Sequence, residues 1–313
     1  MSVSTLICHP QVRALLDELV PRKLGDRILY QRSTNCPILV PKKTTTHGSI
    51  IGTAYDYAFR FEMARLVPEA QYDEWVAELA ARGLMALARQ MERRYERLLE
   101  QNFYVRSWRD PAALQPADWE RLVEAQIQRQ AQVAFQSIQR ARKAAVRVKN
   151  ARIFFRQHLK RKECEEFWLR RLAVHALKLA RLDPYYRAKY IGPALFEPDD
   201  DLAVNEIVEL LKRTPFSRWT KAKSVLLNAN FAESSTLVGG ADCDLIAGDS
   251  LVDIKTTTRA VVERPMIRQL LAYLLLAESA RAAGHIHIRS YAPRAKCLGT
   301  LGFARKVRMA SRT

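Results

Sequence analysis

The sequence predicts an α/β chain of the α+β kind, with a β-sheet core flanked by helices and interrupted by a large all-helical insertion. Three observations carry this. From about Asp73 to Leu182 apolar residues recur at helical intervals. After Trp219 the pattern changes to short β-type runs. Two of those runs flank Gly248-Asp249, a two-residue hairpin signal.

The elements follow in order. Pro37, Pro41, Thr44 to Thr46 and Gly48 read as a loop, and Gly52-Thr53-Ala54-Tyr55-Asp56 opens a helix that Pro68 ends. Ala54, Ala58, Phe61 and Leu66 sit on or near one face of it. Trp75, Leu79, Leu87, Met91, Tyr95 and Leu98 mark a long helix. Pro111 and Pro116 separate it from a second, marked by Trp119, Leu122, Ile127, Ala131, Ala134, Ile138, Ala141 and Ala145. Small residues in such a stripe suit close helix packing. The acidic stretch EPDDDLAVNEIVELL opens a short helix ending near Thr214-Pro215. Residues 225–231 and 236–238 read as strands, followed by the hairpin, a helix containing Gln269 and Tyr273, and a strand over 285–291. The expected division is 1–70 and 201–313 as two parts of one core, with 71–200 as a basic helical insertion.

Composition limits the function. Hydrophobic residues at 48% and charged residues at 27% exclude a disordered or collagen-like chain. The longest apolar run, 270–277, is far below the ~18 residues of a membrane span. The first residues lack a secretory pattern, and five scattered cysteines without a CxxC pair exclude a zinc knuckle or a disulfide scaffold. The expectation is a soluble, cytoplasmic protein with no membrane partner.

The charge is +18, which points to a polyanionic partner, with DNA the leading expectation. It is unevenly placed: residues 125–162 contain eleven basic side chains and no acidic one. Arg140, Arg142, Lys143, Arg147, Lys149, Arg152, Arg156 and Lys160 are the nucleic-acid-binding candidates, because a helix bearing them offers a positive ridge to phosphates.

The chemistry sits in GGADCDLIAGDSLVDIKTTT, residues 239–258. A turn at Gly248-Asp249 sets Ala247 opposite Ser250, Ile246 opposite Leu251, Leu245 opposite Val252 and Asp244 opposite Asp253. Alternation then puts Asp242, Asp244, Asp253 and Lys255 on one face, with Leu245, Val252, Ile254 and Cys243 turned away. Like charges across a strand pair need a cation between them; Lys255 supplies one, and a hard divalent ion supplies more. A salt-bridged hairpin is the alternative reading. In the helix that follows, Gln269 and Tyr273 share a face at i,i+4.

These residues resemble the PD-(D/E)XK nuclease superfamily, in its RecB-like branch: an Asp ending one strand (Asp244), D-x-K on the next (Asp253, Ile254, Lys255), then Q-x-x-x-Y (Gln269, Tyr273). Gly52 to Asp56 looks like the branch's G-x-x-x-H helix, with Asp56 where the His stands. The resemblance implies a restriction-endonuclease-like mixed sheet and a Mg²⁺- or Mn²⁺-dependent deoxyribonuclease. Its metal ligands would be Asp56, Asp244 and Asp253, with Asp242 able to ligate or to tune Lys255. Catalytic positions would be Asp244, Asp253, Lys255, Gln269 and Tyr273. Glu206 competes with Asp56 for the remaining ligand place. Cys297 stands alone in the tail, so no iron–sulfur cluster is expected, and no GxxxxGK[ST] motor motif is present. The implied role is exonuclease-like work in DNA repair, recombination or mobile-element processing. Two alternatives stand beside it: a non-catalytic nucleic-acid-binding protein on a nuclease scaffold, and a helical assembly module.

Overall fold

The structure is a computed structural model, and it describes residues 3–19, 27–29, 48–72, 74–107, 117–190, 195, 197–238, 240–248, 250–256, 261–282 and 294–299. The chain divides into two compact units. One holds 1–73, 154–177 and 199–313; the other holds 74–153 and 178–198. The expected insertion, 71–200, covers the second of these units together with 154–177 of the first.

In the helical unit, α4 (Val76–Ser107) and α5 (Ala117–Leu159) are the two long helices that the prolines separate. At about 1.5 Å per residue, the 43-residue α5 is roughly 65 Å long. Its buried positions Ala134, Ser137, Ala141 and Ala144 fall on alternating three- and four-residue steps, with Ala151 seven residues further on, the 3.5-residue period of a coiled-coil seam. On α4, Ala77, Ala81, Leu84 and Ala88 are buried at the same spacing. Side chains this small let backbones approach closely. Arg152 bridges the helices, pairing with Glu78 and lying over the Trp75 ring at 5.5 Å. Helix α7 (Asp183–Ala188) packs on α4 at Gly83, where a Cβ would stand 2.8 Å from the Tyr185 ring.

In the sheet-bearing unit, five strands run in the order β2-β3-β4-β5-β7: β2 Gln71–Tyr72, β3 Val225–Asn230, β4 Asp242–Ala247, β5 Ser250–Lys255 and β7 Arg294–Gly299. The sheet is mixed. β3, β4 and β5 are antiparallel, while β2 joins β3 and β7 joins β5 in parallel. A separate antiparallel pair joins β1 (Arg27–Leu29) to β6 (Val261–Glu263). The α+β class is thus as predicted. The strand expected over 285–291 lies outside the described residues.

One core cluster gathers Val3 of α1 (Val3–Leu6), Ile7 of the turn after it and Leu16 of α2 (Pro10–Leu19) with Phe231, Cys243, Ile246 and Leu251. Leu270, Leu271 and Leu274 of α10 (Arg264–Ala282) complete it. Arg268 clamps α10 to α2 by donating to both carboxylate oxygens of Asp17, at 2.7 and 2.8 Å. Helix α3 (Gly48–Leu66) packs against α8 (Asp201–Arg213). The two are tied by the Tyr55 hydroxyl, 2.7 Å from the Thr214 Oγ1. Phe59 of α3 also stacks on Phe216 at 5.4 Å. Asp200 caps α8, its carboxylate accepting from the Leu202 and Ala203 amides.

Residues 236–238 are not a strand. Thr236 and Leu237 belong to a short helix, α9 (Ala232–Leu237). The Ser235 hydroxyl donates to the Ala241 carbonyl at 2.7 Å and accepts from the Ala241 amide at 2.6 Å. Those bonds turn the chain into β4, and local β propensity at Thr236 and Val238 yields to them.

Candidate active site

The hairpin register matches the turn-based expectation at three pairs: Leu245 with Val252, Ile246 with Leu251, and Ala247 with Ser250. Gly248 has φ of +56°, as a tight hairpin turn requires. At the fourth position, Asp244 and Asp253, the ladder opens. The Ile254 backbone N–H donates to the Asp244 carboxylate, a side chain taking the place of a strand partner.

The β3–β4 ladder also breaks beside Asp244. Pairs run Leu227 with Leu245 and Ala229 with Cys243, and Asn228, opposite Asp244, makes no ladder pair. Asn228 is buried at φ +53°, the left-handed region, which asparagine tolerates better than most residues. Strained backbone of this kind clusters at functional sites. No sequence pattern flagged Asn228, since a left-handed residue inside a β-type run leaves no periodic trace.

Asp56 comes from α3. The start of that helix lies close to the end of β5 because Gly52 has no side chain: a Cβ there would stand 3.2 Å from the Thr256 Cβ. This is the physical use of glycine in Gly52 to Asp56. Arg60, one turn on, donates to Asp56 and lies 4.9 Å over the Tyr57 ring. Sequence reasoning missed Arg60, although its i,i+4 spacing from Asp56 is a legible signal.

The electrostatics show which groups share the site. Burial raises the Asp244 carboxyl well above the usual carboxylate range, and Asp56 and Asp253 add to the rise; Lys255 and the Ile254 amide oppose it. Asp253 is also raised, first by burial and then by Asp56 and Asp242, against Lys255. The Lys255 Nζ lies 3.0 and 2.8 Å from the two Asp253 oxygens. Burial works against the Arg60 charge but is overcome, by Asp56 first and then by Tyr57, Asp244 and Asp242, so its guanidinium is held above its ordinary value. On α10 the Gln269 amide donates to the Tyr273 hydroxyl at 2.7 Å. Burial, then Asp253, raises the Tyr273 phenol, which stays protonated and a donor.

Asp56, Asp242, Asp244, Asp253, Lys255, Gln269 and Tyr273 are therefore brought to one place, from α3, β4, β5 and α10. Glu206 is not among the charges that act most on Asp244 or Asp253. It is buried on α8. Four carboxylates with Arg60 and Lys255 carry a formal charge of −2. Carboxylate oxygens are the donors that Mg²⁺ or Mn²⁺ takes, but among the described residues no three of these carboxylates present oxygens within 4.8 Å of one another.

The basic candidates separate on inspection. Arg142, Lys149 and Arg156 are exposed at seven-residue spacing on α5, in line with an exposed Phe135, and Lys160 is exposed beyond the helix. Arg140 and Lys143 are half-buried. Arg152 is exposed but engaged with Glu78. Arg147 is a correction: it is buried, 8% exposed, because it lies three residues after Ala144 and four before Ala151 on the inward flank of the seam. Among the described residues no helix is long and apolar enough to cross a membrane. No protein-family model, curated protein or solved structure matches this chain.

Proposed function

We propose that this chain is a metal-dependent nuclease of the PD-(D/E)XK type, hydrolysing DNA phosphodiesters in an exonuclease-like manner during repair, recombination or mobile-element processing. The observation that carries the reading is the meeting of the half-buried Asp56, Asp242 and Asp244 with the buried Asp253 and its partner Lys255. Burying several carboxylates costs several kcal/mol per uncompensated ion, so the arrangement calls for a cation.

Asp56, Asp244 and Asp253 would hold the ion, with Asp242 beside them. A bound Mg²⁺ or Mn²⁺ supplies polarisation of a phosphoryl oxygen and a water of lowered pKa. The chain's own residues do the rest. Lys255, held against Asp253, presents an ammonium to the negative charge that grows on the phosphate. Tyr273 remains a phenol and offers its O–H to a phosphate oxygen or a bound water, and Gln269 fixes the orientation of that hydroxyl. Arg60 fixes the Asp56 carboxylate. The exposed cations of α5 give the chain a surface for the sugar–phosphate backbone.

The test is cleavage of single- and double-stranded DNA with Mg²⁺ or Mn²⁺, beside Asp253→Ala and Lys255→Ala. Both substitutions are expected to lower cleavage at least ~100-fold while DNA binding persists. Binding without cleavage by the unaltered chain would instead support a non-catalytic nucleic-acid-binding protein.

A further inference from the structure

In the sheet-bearing unit, away from the hairpin, three donors of different chemistry converge. They are the Glu62 carboxylate of α3, a ring nitrogen of His158 in the last turn of α5, and Sγ of Cys164 in the loop that follows, all within 4.8 Å of one another. His158 is fully buried, and Glu62 is nearly so. The His158 Nε2 lies 3.0 Å from the Glu62 Oε2, while its Nδ1 is buried with no hydrogen-bond partner among the described residues. Arg65 steadies the carboxylate, its Nε donating to Oε2 at 3.0 Å and its Nη2 to Oε1 at 2.5 Å. The Arg65 Nη1 donates to the Arg161 and Lys162 carbonyls at 3.2 and 3.0 Å, so the same guanidinium holds the loop leading to Cys164.

We propose that Glu62, His158 and Cys164 bind one thiophilic divalent cation, zinc by preference, which clips α3 to the end of α5. One sulfur, one imidazole nitrogen and one carboxylate oxygen are a zinc donor set, and a hard ion such as Mg²⁺ has no use for the thiol. The three protein ligands leave a fourth tetrahedral position to water. Arg65 takes the outer role that orients a ligating carboxylate. Without the ion, burial and then Glu62 push the Cys164 thiol up to about 11. On binding, the S–H bond breaks, the proton leaves to solvent and a sulfur–zinc bond forms, the ion's charge replacing the proton. Glu62 lies on the same helix as Asp56, so the ion would also fix the element that carries that residue.

The experiment uses the full chain, stripped by a chelator and titrated with Co²⁺. The expected result is a thiolate-to-cobalt charge-transfer band that saturates at one ion per chain, is displaced by zinc, and is lost in Cys164→Ser. Glu62→Gln should weaken the apparent affinity by at least ~10-fold, since it removes the charge of a direct ligand, more than the loss of an outer partner costs. Asp253→Asn should leave the band unchanged, which separates this site from the carboxylate cluster and from the nuclease reading. Should Cys164→Ser fold poorly, the unaltered chain still decides the matter: zinc should slow alkylation of Cys164 at least 10-fold. A folded chain with no band, a band that survives Cys164→Ser, or alkylation indifferent to zinc would each overturn the proposal.

Discussion

Around Asp244, four carboxylates, one buried and three half-buried, meet two cations, whereas on α5 the exposed cations Arg142, Lys149 and Arg156 stand in a segment that has no acidic residue. Both regions carry unbalanced charge, but the energetics differ. Buried like charges are expensive, and Asp244 and Asp253 respond by holding their protons more tightly. Exposed cations are hydrated and screened, so the ridge costs little and persists without a ligand. The carboxylate cluster is thus the stronger pointer to a bound ion, while the helix face is an exposed positive surface that stands without one.

That contrast can be broken most sharply at Gly52. A valine there would meet Thr256 and push α3, with Asp56, away from β5. We expect cleavage to fall by ~10- to 100-fold, because small displacements of positioned groups are costly, and stability to fall by about 1–3 kcal/mol. Parallel cleavage assays and thermal melts check this. Undiminished cleavage would separate Asp56 from the chemistry.

On the helix side, replacing Arg142, Lys149 and Arg156 together by Gln should flatten the log–log salt dependence of duplex DNA binding by about 2–3, near 0.9 per lost phosphate contact. Arg147→Gln should leave the slope unaltered, because that side chain is buried. A titration series by fluorescence anisotropy reads both, and an equal effect from Arg147 would contradict its inward placement.

Asp244→Asn sharpens the other half. Removing one crowded carboxylate should raise the Tm of the metal-free protein, because burial, Asp56 and Asp253 all act against its ionised form. The proposed ion predicts that Mg²⁺ raises the Tm of the unaltered chain and that the same change abolishes this rise. The smallest effect is expected at Asn228. Asn228→Ala should cost about 1 kcal/mol more than Asn228→Gly, since glycine alone is at ease at φ +53°. Equal melts for the two would mean that the left-handed backbone is not retained in solution.

Much of the arrangement was legible from local rules. Gly248-Asp249 sets the hairpin register because a two-residue turn permits only one pairing, and Pro111 and Pro116 divide α4 from α5 because proline ends helices. The i,i+4 relation of Gln269 and Tyr273 is likewise fixed within one helix, and their hydrogen bond follows from it. The inward Arg147 was misread because charge alone does not reveal which flank of a long helix is covered. Residues 236–238 were misread because the Ser235–Ala241 bonds that decide them are tertiary closures.

By itself, then, the amino-acid order determined the elements, the hairpin pairing and the charge excess, since each depends on neighbours a few residues apart. Only the folded chain decided that Asp56 meets Asp244 and Asp253, and that Glu62 meets His158 and Cys164. Those meetings join segments up to two hundred residues apart, and their partners are chosen by how α3 packs on the strands and helices around it, which no local periodicity records.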